Sequence, residues 1–328
     1  MNRSQALPSV PAADAAMDES TSLAALIARR EAFRMLHERG CFVIPNPWDV
    51  GSARYLQHLG FPALATTSAG FAFSQGLPDS GDDVVGSRDR TLTHVASITA
   101  AVDLPVSADF MSGYGLEPED VADSVARCVA TGVAGLSIED ATGDPMSPLY
   151  DLPIAIERIR AARQAIDRCA DDVLLTARAE CYHVGHPDPF RESVRRLQAY
   201  AAAGADVLFA PGPQTPAEIK ALVEAVAPKP LNLLVVRDIG LGVREIEALG
   251  VRRISVGGAL ALAAWTGFIR AAEALRSAGS FAGLAGLVPY VDINGLFATR
   301  LPVHQAQRQQ ATGDRALNEY GGGTDLRD

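Results

Sequence analysis

The chain has 328 residues, 48% of them hydrophobic, and carries a formal net charge of −10 at pH 7. That length and composition support a large buried core, and the negative charge disfavours nucleic acids and anionic membrane surfaces as partners. Because no apolar run approaches the roughly 20 residues of a membrane span, we expect a cytoplasmic protein without a membrane partner. The four cysteines show no CxxC spacing, so free thiols are expected.

Short apolar runs recur along the chain at intervals of roughly 25 to 35 residues, separated by segments with helical periodicity. The eight runs are Cys41–Asn46, Pro62–Ser68, Val106–Phe110, Gly135–Asp140, Val173–Glu180, Val207–Gly212, Leu231–Val236 and Arg253–Gly258. Strands that alternate with helices favour parallel pairing through crossover connections. Eight such units predict an α/β fold, a (β/α)8 barrel of the TIM type, whose functional residues lie at the carboxyl ends of the strands.

The segments outside these units predict how the barrel is completed. An amphipathic helix is expected over Ser22–Arg39, where it would cover the bottom of the barrel, and an Ala- and Leu-rich helix over Ala259–Ser277. One or two further helices are expected within residues 287–309. The predicted organisation is a flexible arm over 1–21, one barrel domain with C-terminal helices over 22–300, and a polar tail over 301–328.

Two long segments follow barrel strands and are rich in turn-forming residues. Gly70–Arg88 and Ala141–Asp151 are both predicted to be loops. Loops of this length beside a barrel mouth are more often functional than idle. In the second loop, Gly143 permits unusual backbone angles while Pro145 and Pro148 stiffen the chain, which suits a lid that moves as a unit.

Acidic residues stand at the predicted ends of the third and fourth strands. The third strand ends at Asp109 and the fourth at Glu139 and Asp140. Because strand side chains alternate, one of the adjacent acids should point into the barrel mouth and the other away. Carboxylate oxygens are ligands that suit Mg²⁺. The same acids are equally suited to cap helices or form ion pairs, and both interpretations stay open at this point.

Other strand ends carry candidate ligand-binding groups. Arg178 and Glu180 share one face of the fifth strand, where an arginine can neutralise metal-site acids or grip a substrate carboxylate. A structural Arg–Glu pair is the alternative. The small residues of Thr66–Gly70 let backbone N–H groups approach an oxyanion, although such a run also forms simple turns. His183 is a candidate acid or base, whereas the Cys and His residues around it fit no standard zinc spacing.

Taken in order, several short stretches resemble the isocitrate lyase/phosphoenolpyruvate mutase superfamily over about residues 28–275. Each motif is weak alone, and their order on successive strand ends makes the resemblance specific. The stretches are Asn46–Arg54, Thr67–Gly70, Gly76–Asp79, Ser107–Gly115, Ile138–Asp140, Ala177–Glu180 and Ser255–Gly258.

The resemblance implies a barrel enzyme that binds Mg²⁺ and a small 2-oxo or 2-hydroxy acid and reacts through an enolate-like species. It implies that Asp109 and Glu139 hold the metal, largely through water. The candidate catalytic residues are Arg178, Glu180 and Asp79. The candidate substrate-binding residues are Trp48, Ser68, Ala69, Gly70, Arg178 and Asn232. Relatives exchange the helix after the eighth strand, which implies a homodimer or homotetramer.

The sequence also departs from the superfamily pattern. Lyases carry a Lys/Arg-Cys-Gly-His loop after the fourth strand and mutases place Lys and Asn there, but residues 141–151 contain none of these catalytic groups. Ser107 occupies the position of a usual metal-binding aspartate, which implies weaker or more water-mediated metal binding. Residues 210–212 read Ala-Pro-Gly where lyases have a glutamate.

These departures favour one reaction class without excluding others. We expect Mg²⁺-dependent carbon–carbon cleavage of a 2-oxo acid, of the oxaloacetate-decarboxylase or acylpyruvate-cleaving type, since decarboxylation needs an electron sink but no thiol. One alternative is P–C bond chemistry on a phosphonate, of the phosphonopyruvate hydrolase or mutase type. The other is a non-catalytic protein that binds 2-oxo acids.

Overall fold

Eight parallel strands form the centre of the molecule, as predicted. The computed structural model describes residues 12–79, 84–169 and 172–298, with side chains from residue 23 onward and without those of 84–86. The strands are β1 Phe42–Ile44, β2 Leu64–Ala65, β3 Val106–Asp109, β4 Gly135–Glu139, β5 Leu174–Arg178, β6 Val207–Phe209, β7 Leu231–Leu234 and β8 Arg253–Ser255. Each neighbour in the order β1-β8-β7-β6-β5-β4-β3-β2 is hydrogen-bonded to the next.

The barrel is closed between β1 and β2 by polar contacts at their carboxyl ends. The Ala65 N–H donates to the Pro45 carbonyl over 3.1 Å. The Asn46 amide donates to the Thr66 carbonyl at 2.9 Å, and its oxygen accepts the N–H groups of Val256 and Gly257 at 2.9 and 2.8 Å. One buried side chain therefore joins the ends of β1, β2 and β8 and satisfies backbone groups that the sheet leaves unpaired.

Helices surround the strands and continue past the last one. They are α1 Ala12–Leu36, α2 Val50–His58, α3 Ser68–Ser74, α4 Val84–Ala101, α5 Pro118–Ala130, α6 Leu152–Cys169, α7 Pro189–Ala202, α8 Pro216–Val226, α9 Val243–Ala248, α10 Ala259–Ala278 and α11 Tyr290–Ala298, with a 3-10 helix at Ala282–Leu284. Among the described residues, no helix is long and apolar enough to cross a membrane.

The segment Gly70–Arg88, predicted to be one long loop, is partly helical. It contains most of α3 and the first residues of α4. The Thr67 hydroxyl caps α3 by accepting the Gly70 N–H at 3.3 Å, which favours the start of a helix. The glycine-rich composition of the segment favoured a loop instead. Residues 80–83 of the predicted loop lie outside the described residues, as do residues 1–11 of the predicted arm and the tail from 299 onward.

Helix α1 covers the amino-terminal ends of the strands, as expected for the helix before the first strand, although it begins at Ala12 rather than at Ser22. Phe33 is fully buried in a cluster at the strand starts with Phe42, Ile44, Ala63, Ala134, Leu174 and Val207. Arg29 and Arg30 donate to carbonyls near the ends of α4 and α5, where a cation also complements the helix dipole. The bottom of the barrel is thereby closed to ligands.

A buried arginine lies inside this closed end. Arg253 donates to the Asn232 side-chain oxygen at 2.8 Å, to the Thr176 hydroxyl at 3.1 Å and to His37 Nε2 at 3.4 Å. Burial lowers the pKa of Arg253 to about 9. Burial, with the nearby guanidinium, also lowers the pKa of His37 to about 3. The His37 side chain is therefore neutral in the folded protein at neutral pH.

Acid should destabilise the fold through His37. Its pKa is about 3 in the folded protein and about 6.5 in an unfolded chain. The unfolded state alone binds this proton between those values. The contribution of His37 is therefore complete above pH 6.5 and falls by up to about 1.4 kcal/mol per pH unit below it.

Urea unfolding at several pH values between 4.5 and 7 tests this linkage. His37→Gln should flatten the pH dependence of the free energy of unfolding relative to the parent protein. His58→Gln, at an exposed position on α2, should retain the parent slope. Identical slopes for the parent and His37→Gln would show that His37 does not carry the effect.

Candidate active site

Ionisable side chains converge where β3, β4 and β5 end, as the barrel prediction requires. Asp109, Glu139 and Arg178 are the last residues of these strands, and the sheet register places Glu139 directly beside Arg178. Arg178 Nη1 lies 3.2 Å from Glu139 Oε2 and 3.6 Å from Asp109 Oδ1. Its Nε contacts Glu180 Oε1. One guanidinium thus holds three carboxylates from successive strands together.

Acidic charge exceeds basic charge in this cluster. Burial raises the pKa of Glu139 to about 8 against the opposing effect of Arg178, and Glu180 and Asp109 add to the rise. Burial likewise raises the pKa of Glu180. Restricted hydration, followed by the charge of Asp109, raises the pKa of Asp79, although this side chain keeps an exposed surface. The cluster therefore favours an additional positive charge.

The donor set fits a hydrated magnesium ion rather than a metal caged by protein. The carboxylates are hard oxygen donors, and Mg²⁺ is commonly held by one or two of them while keeping several waters. Within the described residues, no group of three or more His, Cys, Asp or Glu side chains is arranged to hold a metal ion. Asp109 and Glu139 are therefore suited to bind Mg²⁺ with water and substrate oxygens completing its coordination.

A cavity of about 460 Å³ opens over the cluster. Its walls include Ser68, Asp79, Glu139, Arg178, Glu180 and His183, so six predicted candidates from the segments at and after three strand ends share one space. That volume lies within the range of small-molecule sites. The location at the carboxyl ends of the strands is the one expected for a barrel enzyme.

The segment Ala141–Asp151 forms one side of this cavity. The Thr142 N–H donates to the Pro148 carbonyl at 3.0 Å, and the Met146 N–H donates to Asp144 Oδ1 at 2.8 Å. An isolated bridge pairs Ala141 with Leu149. The loop is bonded mainly to itself between these ends.

Asp140 is structural, in contrast to its neighbour Glu139. Its carboxylate accepts the Tyr200 hydroxyl at 2.6 Å, Arg196 Nη1 at 3.1 Å and the Glu180 N–H at 2.8 Å, and the side chain is buried. The two adjacent acids therefore face opposite ways, as strand alternation predicts. Asp140 therefore follows the structural interpretation of the strand-end acids, whereas Glu139 pairs with Arg178 and borders the cavity.

The predicted oxyanion donors at Ser68–Gly70 form the first turn of α3. Ser68 N–H donates to Asp109 Oδ2 at 2.9 Å, and Gly70 N–H donates to the Thr67 hydroxyl. A Cβ at Gly70 would lie 2.8 Å from the Trp48 Cβ, so this glycine allows close packing of α3 on the segment after β1. Ala69 packs near Gly258. Of this trio, Ser68 borders the cavity.

Two predicted substrate-binding residues lie away from the cavity wall formed by described residues. Trp48 packs against Gly70, and its backbone N–H donates to the Ser52 hydroxyl at 3.1 Å. Asn232 is buried, where its amide donates to the Ser255 hydroxyl at 2.9 Å and its oxygen accepts from Arg253. In this structure both side chains support the strand ends rather than contact the cavity.

Met111 and Tyr114 border the cavity and were not among the sequence candidates. Both have positive φ angles, 47° and 53°, which are uncommon for residues with side chains. Arg158 stabilises this turn by donating to the carbonyls of Ser112 and Leu116, each at 2.7 Å. Gly113 and Gly115 flank Tyr114 a few residues after Asp109. This pair of glycines is the sequence signal that could have identified the turn.

No cysteine is among the described residues that line this cavity. All four are free, as expected. Cys181 is fully buried, and burial raises the pKa of its thiol to about 11. A protonated, buried thiol is a poor nucleophile or base at neutral pH.

Cys181→Ser should therefore retain activity within about fivefold of the parent, measured as kcat/KM under matched conditions. Cys169→Ser, at an exposed position, provides the control for the chemical change. A loss above about 100-fold with the fold preserved by circular dichroism would indicate a thiol mechanism.

Comparisons with known proteins agree with this geometry. The sequence model of the phosphoenolpyruvate phosphomutase family matches residues 33–276. An uncharacterised protein of Mycobacterium tuberculosis is 33% identical over 263 residues, which is 80% of this chain and 94% of that protein.

Two solved structures extend the similarity across the barrel. A proposed lyase or mutase from Burkholderia cenocepacia J2315 is 46% identical, with a TM-score of 0.79 over 84% of this chain and 98% of that one. Oxaloacetate acetylhydrolase, solved with its product oxalate, is 27% identical, with a TM-score of 0.71 over 89% of this chain and 98% of that one. The family match and the M. tuberculosis relative together place this chain in the phosphoenolpyruvate phosphomutase family, within the isocitrate lyase/phosphoenolpyruvate mutase superfamily.

Proposed function

We propose that this protein is a Mg²⁺-dependent enzyme that cleaves a carbon–carbon bond of a small 2-oxo acid through an enolate-like species. The observation that carries the proposal is the excess of carboxylate over guanidinium charge at the base of a ligand-sized cavity. A 2-oxo acid offers two adjacent oxygens that a metal and an arginine can bind together. The similarity to oxaloacetate acetylhydrolase supports the substrate class.

The chain's own residues divide the work of binding and proton transfer. Arg178 would orient the substrate carboxylate, and Glu180 holds Arg178 in place through its Nε. Asp79 borders the cavity with a raised pKa, which suits a group that holds or releases a proton there. Mg²⁺ held by Asp109 and Glu139 would supply Lewis-acid stabilisation of oxyanion charge.

The composition of the cavity wall favours decarboxylation or a similar cleavage over thiol-assisted lyase chemistry. None of the described residues that line it is a cysteine or a lysine. When carbon dioxide leaves, the electron pair of the broken C–C bond moves into the adjacent 2-oxo group, which becomes an enolate oxyanion, so no thiol is required. The description of the matching family as a phosphomutase keeps P–C bond chemistry as the second candidate.

A substrate panel separates these candidates. We expect the full-length protein with Mg²⁺ to release pyruvate or a carboxylic acid from oxaloacetate or an acylpyruvate, and EDTA to abolish turnover. Phosphate release from phosphonopyruvate would identify the P–C alternative. Metal-dependent binding of oxalate without turnover of any panel member would identify the binding protein.

The helices after β8 suggest how subunits associate. Their outer surfaces carry large apolar side chains, including Phe281 at 74%, Val288 at 63% and Tyr290 at 80% exposure. Several large apolar side chains exposed within one short stretch of the chain favour an interaction site there. We propose that a second copy of the chain covers it.

Light scattering at micromolar concentration should therefore give at least twice the monomer mass of 34.5 kDa. Val288→Asp should shift the mass toward the monomer, because a charge buried in an interface lacks a partner. Met35→Asp, at an exposed apolar position on α1, should leave the mass unchanged. A monomeric parent protein would contradict the proposal.

A further inference from the structure

A second compartment adjoins the acidic cavity. It has a volume of about 380 Å³ and lies between α3, the turn after β3 and the start of α4. Ser68, Asp79, Ser87, Met111 and Tyr114 border both spaces, so the two are neighbours that share part of their walls. The acidic cavity alone already has room for a molecule of the size of oxaloacetate.

The lining of this compartment differs from that of the acidic cavity. Its apolar and aromatic members are Phe71, Ala72, Leu77, Pro78, Met111 and Tyr114. Of the acids near Arg178, Asp79 alone is among the described residues that border the compartment. Phe71, Gln75 and Arg90 also border a shallower surface depression beside the compartment.

The position of the apolar compartment beside the acidic cavity bears on how long the substrate is. For a 2-oxo acid whose carboxylate and oxo group lie at Asp109, Glu139 and Arg178, one direction for the substituent leads toward this side of the site. That direction passes Ser68 and Asp79 and enters the apolar compartment. Met111, with its flexible thioether, can adapt to substituents of different shape.

We infer that the substrate is a 2-oxo acid with an extended apolar substituent of several carbon atoms, and that Ala72 and Leu77 determine which substituents fit. The inference rests on the proposed function, because the acidic cluster must bind the 2-oxo carboxylate. It goes beyond that function by assigning a second subsite to the compartment between α3 and α4. A short, fully polar substrate such as oxaloacetate would leave this compartment filled with water.

Affinity measured against chain length tests the assignment. Full-length protein with Mg²⁺ is titrated by calorimetry with oxalate, pyruvate, 2-oxobutanoate and 2-oxohexanoate. Burial of each methylene group should strengthen binding about three- to fourfold, which predicts a gain of about 30-fold or more from pyruvate to 2-oxohexanoate. 2-Oxoadipate, which ends in a carboxylate, should bind more weakly than 2-oxohexanoate.

Two variants locate the gain in the compartment. Ala72→Leu should narrow it and reduce the chain-length gain while leaving oxalate affinity within about twofold of the parent. Leu77→Gln, at a 43% exposed position that tolerates a polar group, should reduce the gain by replacing apolar lining. Ala100→Leu makes the same change as the first variant at an exposed site on α4 and should keep the full gain.

The outcomes distinguish this inference from the proposed function. Metal-dependent oxalate binding without a chain-length gain would overturn the apolar subsite alone. So would a gain that survives in both Ala72→Leu and Leu77→Gln, or tighter binding of 2-oxoadipate than of 2-oxohexanoate. Absence of metal-dependent oxalate binding would overturn the proposed function and, with it, the subsite.

Discussion

Replacement of Glu139 by Gln is expected to weaken Mg²⁺-dependent oxalate binding by about 100-fold or more. The substitution keeps the shape of the side chain but removes an ionisable carboxyl group, and so the negative charge that it would present to a bound cation at the ends of β3 to β5. A cation bound in a partly buried site depends strongly on such a charge. Calorimetry with oxalate in the presence of Mg²⁺ and of EDTA measures the effect.

Asp140→Asn is the matched control, because it makes the same chemical change one residue along the chain. Asp140 accepts from Tyr200 and Arg196 in the protein interior, so its loss should lower the free energy of unfolding by about 3 kcal/mol. Oxalate affinity of the folded fraction should stay within a few-fold of the parent. Glu139→Gln should instead lose oxalate affinity and keep the parent's free energy of unfolding in EDTA.

One binding result would contradict the proposed role of Mg²⁺. Equal oxalate affinity of the parent protein in Mg²⁺ and in EDTA, with metal analysis showing no retained cation, would remove Mg²⁺ from the proposal. Equal effects of the two substitutions on binding would remove the distinction between a cavity acid and a structural acid.

Arg178→Lys is expected to lower kcat/KM by about 100-fold or more, even though the positive charge is kept. The guanidinium contacts Glu180 through Nε and Glu139 through Nη1, and a lysine ammonium cannot span both positions. It also lacks the planar fork that binds a carboxylate through two hydrogen bonds. Steady-state kinetics on the substrate identified by the panel measures the loss.

Arg163→Lys provides the comparison for this change. Arg163 pairs with Asp167 and Asp206 away from the cavity, so its replacement should leave kcat/KM unchanged. Activity of Arg178→Lys within about fivefold of the parent would show that charge alone suffices at this position.

Local patterns in the sequence predicted much of the fold. Strand and helix periodicities are set by neighbouring residues, so the eight strands and their order along the chain could be recognised from apolar runs. The same reasoning located Asp109, Glu139 and Arg178 at strand ends, and parallel pairing necessarily brings such ends together. It did not detect α3, because the small residues of Ser68–Ser74 are also typical of turns.

The roles of individual acids required the tertiary structure. Strand alternation predicted that Glu139 and Asp140 face opposite ways, but the structural role of Asp140 depends on Arg196 and Tyr200, 56 and 60 residues further along the chain. The position of Asn232 against Arg253 likewise depends on a contact between β7 and β8.

The sequence by itself therefore determined the barrel and the set of charged residues at its mouth, because short-range periodicity and the geometry of parallel strands suffice for both. Only the tertiary structure decided which of those side chains share the cavity, and that α3 and Tyr114 border an apolar compartment beside it. These features depend on packing between distant segments. Thr91, whose hydroxyl lies 2.9 Å from that of Tyr114, is 23 residues away in the chain, and no local pattern encodes such a contact.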